Sequence, residues 1–100
     1  MQTENLIPAS EFCVYHNVEF SFISSLHEYG LVTIEQKEET AFIPVNELPE
    51  LEKYVRLHYE LEINLEGIEA ISHLLQRMQS IQHEMLALKN KLRLYESEEL

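Results

Sequence analysis

Five histidines, one cysteine and eighteen glutamates are the side chains of this 100-residue sequence with the widest chemical reach. A metal ion needs such groups at ligand spacing, and a nucleophile needs a base positioned to activate it. His16, His27, His58, His73 and His83 form no HExxH, no His-Cys cluster and no close pair on one helix face. Cys13, being single, excludes an internal disulfide and any multi-cysteine zinc site, and reads as a small core residue. Glu60, Glu62, Glu66 and Glu69 have the composition of a carboxylate site, but a solvated flank beside a helix turn accounts for them more simply. There is no Ser or Cys nucleophile motif, and two glycines cannot build a phosphate-cradling loop. The expectation is a protein that is not an enzyme and that carries no cofactor and no metal. His58 is expected to be structural, at the junction of the last two helices, and the other histidines to lie at the surface or rim.

Charge says more than any motif. The formal net charge is -11, from 18 acids against 7 bases, which disfavours nucleic acid and anionic membrane as partners and favours a basic protein surface. The imbalance is concentrated: residues 1 to 52 contain ten Glu and a single base, Lys37. Every acid is Glu, a good helix former, and with two Gly and three Pro the chain reads as mainly α. A hydrophobic fraction of 45% in 100 residues allows a modest core, so one compact unit is expected. No run of 18 apolar residues and no basic start to a signal are present, so a soluble, cytoplasmic protein is expected.

The positioning elements follow from periodicity and punctuation. After a disordered-looking start, Pro8 and Ser10 open a short helix with Phe12 and Cys13 inward, ending near Asn17. A second runs from Glu19 to Tyr29, anchored by Phe22 or Ile23 and by Leu26, and Gly30 is placed to stop it. "LVTIE" and "TAFIP", joined by "QKEE", read as a hairpin wing. Asn46 is a candidate cap for a third helix from Glu47 to about Leu61, with Leu48, Leu51 and Val55 as its stripe and Leu57 and Leu61 beside it. Asn64 can cap a fourth, from Leu65 to about Tyr95, with Gly67 in its first turn. These divide the unit into a helix-turn-helix region, 1–63, and a long C-terminal helix, 64–100.

That last helix spans about 46 Å, at 1.5 Å per residue, more than a region of its size can cover. From Ile71 its apolar residues keep a seven-residue repeat. Ile71, Met78, Met85 and Leu92 occupy one seam position; Leu74, Ile81, Leu88 and Tyr95 occupy the other. Ile71 and Leu74 can pack on the protein's own core, but further along no core remains. Sustained heptads imply a coiled coil, so a homodimer is expected. The flanking Arg77, Glu84 and Lys91 do not settle whether it is parallel or antiparallel.

The second helix, within "VEFSFISSLHEYGL", has the form of a DNA-recognition helix but carries no lysine or arginine, and Glu19 and Glu28 would repel phosphates. Helix-turn-helix, wing, helix, angled turn and long dimer helix, in that order, resemble the MerR-type winged-helix layout. Metal sensors of that type carry cysteines at the start of the dimer helix, where this chain has Asn64, Gly67 and Ile68. A closer resemblance is to the chaperone-modulator CbpM family, carried by "SEFC" (10 to 13), "GLV" (30 to 32) and above all "RLHYELEINLEGIEAI" (56 to 71), and spanning residues 6 to 95. The resemblance implies a non-catalytic regulator that binds the J-domain of a DnaJ-like, CbpA-type co-chaperone and inhibits its stimulation of a DnaK-type chaperone. Because J-domains present a basic helix, charge places the contact near Glu11, Glu19 and Glu28, with Tyr15 and Tyr29 as aromatic anchors. The alternative is a MerR-family DNA-binding transcriptional regulator.

Overall fold

The computed structural model describes residues 5–99, with side chains through residue 97. The elements run β1 (Leu6–Pro8), α1 (Ala9–His16), α2 (Phe20–Glu28), β2 (Glu35–Lys37), β3 (Thr40–Pro44), a 3-10 turn (Val45–Glu47), α3 (Leu48–Tyr59) and α4 (Leu65–Glu99). This is the expected mainly α layout: a winged helix-turn-helix with a small hairpin, followed by a long C-terminal helix. The contacts group into two compact units, one ending at Glu69 and the other beginning at Ala70, so the division falls inside α4, past the 63/64 boundary read from the sequence.

In the first unit both short helices end in the same way. Val18 N–H bonds back to Cys13 O and Asn17 N–H to Val14 O; in α2, Leu31 N–H reaches Leu26 O and Gly30 N–H reaches His27 O. These paired bonds satisfy the last carbonyls and require a left-handed residue, supplied by Asn17 (φ 57°) and Gly30 (φ 78°). Ala9 and Phe12 of α1 are buried and Cys13 only half so. On α2, Phe22, Ile23 and Leu26 are all buried, so the choice left open between the first two falls to both.

The sheet differs from expectation at two places. Residues 1–4 lie outside the described residues, but Leu6 and Ile7, read as part of a disordered start, and Pro8, read as the opening of the first helix, form a strand against β3. The wing strand lies later than "LVTIE": Glu35–Lys37 pair with Phe42–Thr40, and the two-residue loop is Glu38–Glu39. Side chains have captured the earlier segment. His27 Nδ1 donates to Val32 O at 3.1 Å, while Glu47 accepts the Thr33 N–H at 2.8 Å and its hydroxyl at 2.7 Å. The Val32 carbonyl and the Thr33 N–H are thus paired with side chains instead of with a neighbouring strand. The strand order is β1-β3-β2, antiparallel throughout.

Helix α3 starts one residue later than Glu47 and ends at Tyr59 instead of about Leu61. Asn46 makes no capping bond; it lies exposed in the 3-10 turn, and Glu47 spends its carboxylate on Thr33. Leu51, Tyr54 and Val55 are buried, Leu48 and Leu57 partly, whereas Leu61, expected beside the stripe, is exposed because the helix has ended. Asn64 caps α4 as its type and place suggested, with Oδ1 accepting the Gly67 N–H at 2.8 Å. Gly67 is needed there: a Cβ would stand 2.6 Å from Ile63 Cγ2. The deepest core residues, Ile23, Leu26, Ile43, Leu51 and Ile68, come from α2, β3, α3 and the first turn of α4.

The second unit is the body of α4. The whole helix has 35 residues, about 52 Å at 1.5 Å per residue. Ile71 is half-buried and Ser72 buried, and every described side chain from His73 onward is exposed, Leu74 included, although Leu74 was expected on the core.

Candidate functional site

Phe22, Ile23 and Leu26 face the core, so the outer surface of α2 is left to Phe20, Ser21, His27 and Glu28. This is the face that a DNA reader lays in the major groove. It carries a carboxylate at its end and another, Glu19, immediately before its start; Ser21 Oγ donates to Glu19 Oε1 at 3.3 Å. The Glu19 N–H is taken up by Tyr59 Oη at 3.4 Å, which ties the α2 entrance to the end of α3.

The five residues expected at the partner contact do not form one patch. Glu11 and Tyr15 are one turn apart on α1, both exposed, Tyr15 to 84%. Glu19 and Glu28 are exposed at opposite ends of α2, about 13 Å apart at 1.5 Å per residue. Tyr29 is half-buried, and its hydroxyl donates to Glu66 Oε2 at 3.3 Å. Partial burial, followed by the charge and hydrogen bond of Glu66 and the charges of Glu69 and Glu28, raises the Tyr29 phenol above its ordinary range. Neutral Tyr29 is thus a hydrogen-bonding post for the start of α4.

Val14 and Phe20 were missed by charge reasoning. Val14 is 82% and Phe20 44% exposed. The signal for Val14 was present: with Phe12 inward on a short helix, residue 14 must turn outward. Val14 and Phe20, with Ala9, Ser10, Cys13, Glu39, Thr40 and Ala41, border a shallow cleft of about 460 Å³ between α1, the start of α2 and the hairpin. Burial pushes the Cys13 thiol above its ordinary pKa, which keeps it protonated and slow to react at neutral pH.

The histidines separate into structural and exposed groups. His58 stacks on Phe22, with ring centroids 4.5 Å apart, and donates from Nδ1 to Ile63 O at 3.0 Å. His16 lies 4.2 Å from the Phe12 ring and 3.6 Å from a Glu52 oxygen, and His27 closes the loop after α2. His73 and His83 are exposed on α4. Among the described residues no three His, Cys, Asp or Glu side chains gather into a metal site, and Glu66, one of the four carboxylates of the junction, is engaged by Tyr29. No described helix is long and apolar enough to cross a membrane.

A family model described as MerR HTH family regulatory protein matches residues 7–90, from β1 through most of α4. The chain belongs to that family. No curated protein and no solved structure gives a significant match. As a MerR-family protein it is a regulator by kinship, and the second helix of its helix-turn-helix, α2, buries one face on the core. What this MerR-type domain lacks is the charge of a DNA reader: the first base in the sequence is Lys37, at the end of β2. On α4 the seam residues Leu74, Met78, Ile81, Met85, Leu88, Leu92 and Tyr95 are all exposed and Ile71 is half-buried.

Proposed function

We propose that this MerR-family chain regulates by binding protein: as a homodimer it binds the J-domain of a DnaJ-like, CbpA-type co-chaperone and inhibits that co-chaperone's stimulation of a DnaK-type chaperone. The observation that carries the reading is the solvent side of the helix-turn-helix, where Glu11, Glu19 and Glu28 stand exposed with no lysine or arginine on α1 or α2. The resemblance to the CbpM family supplies the partner, whose basic helix matches this acidic surface. Such complementarity acts mainly on encounter rate and partner choice.

The dimer is supported by the exposed seam. Each Leu, Ile or Met buried contributes roughly 1.5 to 3 kcal/mol, so pairing the α4 helices of two copies stabilises them by far more than a solvated stripe. Such pairing would also set two acidic domains on one scaffold, so that two J-domains could be bound at once.

Family membership favours a second reading, a DNA-binding transcriptional regulator. The two separate in one pair of assays. A J-domain fragment from the same cell should be retained by the immobilised chain at low salt and should lose its stimulation of the DnaK-type ATPase. The DNA reading requires retarded mobility of promoter fragments with a steep salt dependence. If DNA is shifted and the J-domain is not retained, the chaperone reading is wrong.

A further inference from the structure

The candidate contact residues divide between the two ends of α2. Resting on the chaperone reading, we propose that the cleft between α1, the start of α2 and the hairpin tip is the docking groove, and that its occupant is a basic amphipathic helix of the partner.

Three observations narrow the occupant. Val14 and Phe20 are the exposed apolar side chains that flank the cleft, with Ala9, Cys13 and Ala41 forming its floor and wall. Ala41 belongs to β3, the central strand, whose two edges are already hydrogen-bonded to β1 and β2. The cleft therefore offers side chains and no free strand edge, which suits a helix laid into a groove and not an added strand. Its lining includes one charged side chain, the carboxylate of Glu39, with Glu38 next in the same turn; the base nearby is Lys37, paired in register with Thr40.

The acidic turn disfavours nucleic acid, which would bring phosphates against it, and a second copy docked cleft to cleft, which would bring the same carboxylates. A helix with an apolar stripe flanked by lysines or arginines satisfies both wall and turn. The neighbouring cleft near Tyr15 is a poorer groove: Glu52, Arg56 and Glu60 give it mixed charge, and His16 is already against Glu52.

The test uses the full chain and a J-domain fragment. Val14→Lys places a cation on the apolar anchor at a position too exposed to disturb folding, and should weaken binding about tenfold or more. Glu60→Lys, a larger charge change outside the cleft, should leave affinity within about threefold, because an exposed distant charge is screened. Cys13, the only cysteine, supplies a second readout: a bound helix should slow its alkylation by iodoacetamide. Undiminished J-domain binding by Val14→Lys, or equal loss with Glu60→Lys, overturns the groove while leaving the chaperone reading intact. If the J-domain does not bind at all, a model Leu/Lys amphipathic peptide takes its place. Protection of Cys13 by that peptide, abolished by Val14→Lys, supports the groove and removes only the named partner; absence of protection overturns the groove as well.

Discussion

The imidazole of His58 lies nearly flat on the ring of Phe22, with centroids 4.5 Å apart and planes inclined by 18°. The same imidazole donates from Nδ1 to Ile63 O at 3.0 Å. One side chain near the end of α3 therefore holds the buried face of α2 and fixes the turn that launches α4. His58→Ala should lower stability by about 1 to 3 kcal/mol, the sum of an aromatic contact and a partly buried hydrogen bond to the loop before α4. His58→Phe, which keeps the stack, should lose about half of that. Urea denaturation at fixed protein concentration measures both, and equal losses for the two variants would show that the stack contributes nothing.

Gly67 and Ile63 are the second coupled pair. A Cβ at residue 67 would meet Ile63 Cγ2 at 2.6 Å; the Ile63 backbone is held by Leu57 O and His58, and its side chain packs against the core. Gly67→Ala should therefore destabilise by about 1 to 2 kcal/mol, although helix propensity alone favours Ala by about 1 kcal/mol. In an Ile63→Ala background the same change should be neutral or stabilising. A double-mutant cycle that finds the two sites additive contradicts this account of the glycine.

These pairs mark where the sequence was legible. Gly30 and Asn17 announce helix ends because they take the left-handed conformation readily, and Asn64 because its side chain accepts a first-turn N–H. The hydrophobic faces of α2 and α3 followed from period. The wing was read in its place, with TAFIP as its second strand, but the bounds of its first strand were not, because Glu47, fourteen residues on, clasps Thr33, and His27 takes the Val32 carbonyl. Its turn gave little local signal either, since the left-handed position at Glu38 (φ 58°) is held by a residue that rarely takes it. Strand β1 is three residues long, too short for alternation to be seen. At the candidate site the acids were readable one by one, but their division between α1 and the far end of α2, and the exposure of Phe20, depend on packing.

The alkaline limb of stability should reveal Tyr29. Its phenol is raised by partial burial, by Glu66 and by the Glu69 and Glu28 charges, so the folded state holds the proton more tightly than the unfolded chain. The contribution is full below the unfolded phenol's pKa and is lost as pH rises through the higher, folded value. Relative to Tyr29→Phe, the unmodified chain should lose stability as pH rises above that of an ordinary phenol. Parallel stability curves for the two across that range would show that the Tyr29–Glu66 bond is not maintained in solution.

For the seam on α4, Met85→Glu puts a charge at the centre of the heptads, and the variant should sediment as a monomer at concentrations where the unmodified chain is a dimer. Met85 is exposed in the single chain, so the fold of the first unit should survive, with its thermal transition by circular dichroism as the check. A variant that remains dimeric means that the seam lies on another face.

An acidic MerR-type domain that meets a basic protein helix in place of phosphate must hold that helix by charge. Calorimetric titration of a J-domain fragment into the unmodified chain, at low and at high salt, tests it most directly. The account predicts saturable binding at micromolar concentration or below, one J-domain per chain, weakening as salt rises. No binding at micromolar concentration in low salt, in a preparation that does bind promoter DNA, would contradict it.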